Sequence, residues 1–157
     1  MPYSNNKKFI KASKYLDNNK FQKALKIFKE LYRSGLVDSG LNIGYIYEKI
    51  GQTQKAKKWY KRLIHKKKDT GAMINLAIIY SEAHNIKKAK KYFKMAAKLG
   101  DGDASAELGK LYLCEADIQK ANRYFTETIQ SKNVCTDNID LAKKYLLKIE
   151  KYFNRKS

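Results

Sequence analysis

Residues 93–113 read FKMAAKLGDGDASAELGKLYL, two acids set between glycines and followed by a run of small side chains. A calcium loop takes oxygen ligands at alternate positions, a glycine and a distal glutamate over about 12 residues. Asp101 and Asp103 supply two such ligands, but the next alternate position is Ser105, where a helix is already under way. A phosphate cradle needs G-x-G-x-x-G after a strand, and the segment before Gly100 has helical spacing. A joint between two helices explains every residue. Gly100 takes the left-handed position after one helix, Gly102 permits a tight turn, and Asp101 or Asp103 caps the next helix against its dipole.

On both sides of this joint the chain repeats itself. Tyr15, Tyr47, Tyr80 and Tyr112 are spaced by 32, 33 and 32 residues. Nine residues after each stands an alanine (Ala24, Ala56, Ala89, Ala121), and four further on an aromatic (Phe28, Tyr60, Phe93, Phe125). Three before each tyrosine is a small residue: Ala12, Gly44, Ala77 or Gly109. Repetition at a fixed period of this length marks an array of supersecondary units. Each unit is a helix pair. In the second, Ile43, Tyr47 and Ile50 follow helical spacing, GQT interrupts it, and Ala56, Trp59, Tyr60 and Leu63 resume it. The small residues let two backbones approach until the rings fill the layer between them. No proline follows Pro2, so none kinks a helix.

These columns resemble the tetratricopeptide repeat, and AAKLGDGDASAELGKLY resembles the junction of the related Sel-like repeats. The resemblance implies an all-α, right-handed α-solenoid of about four antiparallel helix pairs. The pairs are expected at 5–34, 38–68, 70–100 and 103–132 of a single repeat domain spanning 1–157. A capping helix is expected over about 137–154, where Ala142, Tyr145 and Leu146 copy the second-helix pattern without a first helix before them.

Composition bounds the function. The chain has 157 residues, 43% hydrophobic and 31% charged, with a formal net charge of +19. No apolar run approaches the roughly 20 residues of a membrane span. The opening MPYSNNKKFIKASKY lacks a signal-peptide pattern, so a cytoplasmic location is expected. Cys114 and Cys135 form neither a disulfide framework nor a zinc spacing. Thirty lysines stand against four arginines (Arg33, Arg62, Arg123, Arg155), and lysine shares A/T-rich codons with the abundant asparagine, isoleucine and tyrosine. Phosphate recognition by a planar fork favours arginine, so the balance points to a general positive field. That field is lopsided: residues 1–68 hold 18 basic and 4 acidic side chains, 69–157 hold 16 and 11. Such a field steers an acidic partner.

No catalytic, cofactor-binding or metal-binding residue is expected. His65 ends a helix and His84 sits at a turn, and a thiol–imidazole pair of Cys114 with His84 lacks an orienting acid. In the resembled repeats the first helices line the binding face, which places Asn42, Asn75 and Glu107 at one equivalent position. Tyr45, Ile78 and Lys110 share a second, and Lys49, Glu82 and Cys114 a third. The resemblance implies that Asn42 and Asn75 hold the backbone of an extended peptide, since an amide both donates and accepts. The basic clamp for peptide C-termini is not reproduced, because its first-repeat positions fall on Phe9 and Ser13. A second candidate face is basic: Lys55, Lys58, Lys61, Arg62, Lys66, Lys67, Lys68, Lys87, Lys91 and Lys94 on second helices. The expected function is a non-catalytic protein-interaction module for a peptide or acidic protein surface, of adaptor, inhibitor or immunity type. The alternative is sequence-tolerant nucleic-acid binding through the lysines, which stacking aromatics beside them would strengthen.

Overall fold

The computed structural model describes residues 2–154. Nine α-helices run through them: α1 (Pro2–Asp17), α2 (Phe21–Arg33), α3 (Ser39–Lys49), α4 (Thr53–Lys67), α5 (Thr70–Glu82), α6 (Ile86–Ala97), α7 (Gly102–Cys114), α8 (Ile118–Gln130) and α9 (Thr136–Asn154). The fold is all-α and belongs to the α-solenoid class. The chain divides into two compact units, Met1–Leu76 and Ala77–Ser157, with the boundary inside α5.

In the first unit α1 packs on α2, α2 on α3 and α3 on α4; in the second α6 packs on α7, α7 on α8, and α9 on both α7 and α8. The two kinds of helix differ as that stacking demands. Second helix α2 buries one stripe, Ala24, Leu25, Phe28 and Leu31. First helix α3 buries residues on two sides, Ser39, Gly40, Ile43, Gly44, Ile46 and Tyr47, because it has a helix packed on each.

The small-residue column does what close packing requires. A Cβ on Gly44 would lie 2.4 Å from Cε1 of Tyr60, and one on Gly109 would lie 2.6 Å from Cε1 of Phe125. Ala12 and Ala77, the other members of the column, are fully buried. In the second and fourth repeats the second-helix ring therefore sits directly on the first-helix backbone.

The turns inside the pairs share a backbone but no residue type. Asn19, Gly51, His84 and Ala116, each four residues after a column tyrosine, all have positive φ (55°, 76°, 56° and 58°). The next residue is the N-cap. Asn85 and Asp117 accept hydrogen bonds from the N–H groups of Lys88 and Lys120 (both 3.1 Å), whereas Lys20 and Gln52 make no side-chain cap.

The GDGD joint is more tightly used than a turn requires. Gly100 has φ +84°, and Asp101 caps α7 by accepting from the N–H of Ala104 (3.1 Å). Gly102, expected as a turn residue, is instead the first residue of α7 and is buried. A Cβ there would stand 2.6 Å from Cβ of Ser131 and 2.7 Å from Cβ of Val134. Its N–H donates to the Asn133 carbonyl (2.8 Å) and the Ser131 hydroxyl to the Gly100 carbonyl (2.8 Å). Asp103 accepts from the Cys135 N–H and from Nδ2 of Asn138, both at 2.9 Å. Burial alone would raise its pKa, but these hydrogen bonds outweigh it and hold the carboxyl below its usual value. The joint thus holds the segment that launches α9. Farther along α9, Ala142 is buried and the Tyr145 ring stacks on Phe125 at 4.9 Å.

Candidate functional site

On α3 the helical period turns Ile43, Gly44, Ile46 and Tyr47 into the packing and leaves Tyr45 and Lys49 exposed. Tyr45 is 38% exposed, a large ring kept on the surface, and the Lys49 ammonium lies 5.1 Å from its centre. Asn42, one turn earlier, is half-buried. Ile78, at the register of Tyr45 in the next repeat, is 36% exposed, and Glu82 after it is exposed. On α7, Glu107 and Lys110 form an ion pair with each other.

Asn75 is engaged in the packing. The Tyr60 hydroxyl donates to Oε2 of Glu48 (3.1 Å), and the Asn75 side chain donates to the same hydroxyl. Burial, then the neighbouring Glu48 charge, pushes the Tyr60 phenol far above its usual range, so it stays a neutral donor. The Asn75 amide therefore completes a structural network beneath α3 as well as standing at the register of Asn42.

The basic residues separate into distinct environments. Lys67 pairs with Asp38 and, at 2.8 Å, with Asp69, which caps α5 through the Ala72 N–H (2.7 Å). Lys66 lies over Tyr32, Lys91 over Tyr92 and Lys94 over Tyr112, at 5.6, 6.0 and 5.5 Å from the ring centres. Lys61, Lys68 and Lys87 are exposed, Lys68 with a left-handed backbone at the end of α4. Lys55, Lys58 and Arg62 join Lys29, Tyr47 and Trp59 around a cavity of about 270 Å³. A larger cavity, about 580 Å³, lies between Asn5, Asn6 and Phe9 of α1 and the Ser34–Asp38 turn.

His84 and Cys114 are both exposed, the histidine serving a left-handed turn. Among the described residues no three His, Cys, Asp or Glu side chains gather as a metal site would require. No described helix is long and apolar enough to cross a membrane.

The sequence pattern of the SusR N-terminal TPR domain family matches residues 1–101. The chain belongs to this tetratricopeptide repeat family. Among solved structures it is similar to the MamA protein, at 21% identity over 98% of this chain and 90% of that one, with a TM-score of 0.64. A tetratricopeptide repeat protein from Parabacteroides merdae matches at 18% identity and a TM-score of 0.69, over 97% of this chain and 62% of that one. A Sel1 repeat protein from Oxalobacter formigenes matches at 24% identity and a TM-score of 0.62, over 78% of this chain and 54% of that one. At these identities the likenesses establish the fold. No functionally curated protein matches the chain. Repeat families of this type are in general protein-interaction modules.

Proposed function

We propose that the protein is a non-catalytic interaction module that holds a peptide or an acidic protein surface on its first-helix face. The observation that supports this most is the exposed Tyr45 with Lys49 over its ring, on a face of α3 that the packing leaves free. An aromatic anchor beside a cation is the combination that peptide-binding surfaces concentrate. The charge supports an acidic partner, since residues 1–76 hold 18 basic and 5 acidic side chains. Asn42 stands one turn before Tyr45 and offers the amide that grips a peptide backbone. A module of this kind would serve as an adaptor or an inhibitor, a toxin's immunity protein being one form.

Nucleic-acid binding is the less supported reading. Lysines do lie beside aromatic rings, but the ring beneath Lys29 and Lys55 is Tyr47, only 8% exposed, which offers no free face to a base. Selection from a random peptide display library tests the proposal. Wild type should enrich acidic peptides whose affinity falls at least tenfold against Asn42→Ala/Tyr45→Ala. No enrichment, or peptides that bind the variant equally well, would refute it. Asn75→Ala is unsuited to this test because it also removes a Tyr60 partner.

A further inference from the structure

The repeats carry a column of lysines. Eight residues after each column tyrosine stand Lys23, Lys55, Lys88 and Lys120. Each is the third residue of its second helix, where the helix dipole disfavours a cation and a capping box would place Glu or Gln. Codon bias has no reason to choose that position four times in four. Each ammonium lies over the tyrosine of its own repeat, at 5.8, 5.5, 5.2 and 5.3 Å from the ring centre. At Tyr47 one further lysine arrives from the preceding second helix, Lys29 at 5.3 Å, and at Tyr112 two do, Lys90 at 4.4 Å and Lys94 at 5.5 Å.

The two clusters differ in their acids. Around Tyr112, Lys90 pairs with Glu115 and Lys120 with Asp117 (2.5 Å). The matching positions before α4 are Ile50 and Gln52. The Tyr47 cluster therefore gathers Lys29, Lys55, Lys58 and Arg62 around one cavity, and among the described residues none of the four has an ion-pair partner. Four unpaired cations repel one another, and a multiply charged anion would relieve that repulsion.

We propose that this cavity binds a phosphate group. A phosphate monoester carries nearly two charges and three strong acceptor oxygens, which suits several converging donors better than a single carboxylate. The aromatic walls favour a compact phosphate over a nucleobase. Tyr47 is buried beneath its lysines, the Trp59 and Tyr32 rings pack perpendicular with centres 4.9 Å apart, and Arg62 lies 4.8 Å from the centre of the Trp59 ring. Its cations lie on the second helices α2 and α4, whereas Asn42, Tyr45 and Lys49 of the peptide face lie on α3.

Trp59 is the single tryptophan of the chain and lines the cavity, so its emission reports on it. Sodium pyrophosphate titrated into the whole protein at constant ionic strength should change that emission saturably. Lys29→Gln/Lys55→Gln should weaken binding at least tenfold. Gln52→Asp places a carboxylate where the fourth repeat has Asp117. It should weaken binding at least threefold while stabilising the fold, which separates loss of the site from misfolding. A phosphoserine peptide that binds more tightly than its unphosphorylated form would assign the phosphate to a protein; binding by pyrophosphate alone would assign it to a small phosphate compound. A response no greater than that to chloride, or full affinity in the double lysine variant, would overturn the proposal. So would a single-stranded oligonucleotide that binds in proportion to its length without competition from pyrophosphate.

Discussion

Replacing Gly44 by alanine sets two effects against each other. In a helix interior alanine is favoured over glycine by about 1 kcal/mol, so propensity alone predicts a gain. The new methyl, however, would lie 2.4, 2.8 and 3.0 Å from Cε1, Cδ1 and Cζ of Tyr60. The ring edge would have to retreat by about 1 Å to reach an ordinary contact. It has little room to do so, being fully buried and tied at its hydroxyl to Glu48 and Asn75. Overpacking of this kind costs about 3 kcal/mol at its upper end, which leaves a net loss of about 2 kcal/mol. For a urea m-value of about 2 kcal/mol/M the midpoint should fall by about 1 M. Far-UV circular dichroism through a urea titration reads this directly. In a Tyr60→Ala background the same change should be neutral or stabilising, so the double-mutant cycle isolates the contact. A Gly44→Ala protein as stable as its parent would refute the packing argument.

Three further outcomes are expected. Ala116→Gly should stabilise the protein by about 1 kcal/mol, because Ala116 holds φ 58° where glycine is unstrained; thermal melts check it. Gln52→Asp should add about 1 kcal/mol, since Gln52 (φ −88°, ψ 55°) has nearly the backbone of the capping residue Asp117 (φ −84°, ψ 76°); urea titration reads the gain. Asp103→Ala should cost about 2 kcal/mol by freeing the start of α9, seen as faster amide exchange at Cys135. Because the folded state lowers the Asp103 pKa, its contribution is present above the usual aspartate value of 3.8 and is lost as pH falls through the folded value. The stability gap between parent and variant should close accordingly in acid.

The helix pairs were legible because their packing constrains residue type. A ring that presses on a backbone at Gly44 or Gly109 forces a small residue at a fixed offset, and such offsets recur visibly. The left-handed turns were not legible, although their backbone is just as regular. Asparagine, glycine, histidine and alanine all occupy that position, so geometry repeats without chemistry repeating. His84 was read at a turn and serves one, but nothing in its residue type announces the left-handed backbone. Asp103 was read as a cap candidate, but its partners lie 32 and 35 residues on, and nothing local announces them. Asn75 lies on α5, and its bond to Tyr60 depends on how α4 and α5 meet, which no local pattern announces. The lysine column was present in the sequence and hidden by abundance. Only its offset from the tyrosines separates Lys55 from its many neighbours.

A chemical-shift map of the ¹⁵N-labelled protein reads whether a partner is held on the first-helix face. On addition of a display-selected acidic peptide, shifts should concentrate at the amides of Asn42, Tyr45 and Lys49, with the side-chain amide of Asn42 among the largest. Shifts confined to the outer residues of α4 and α6, with α3 unmoved, would contradict it.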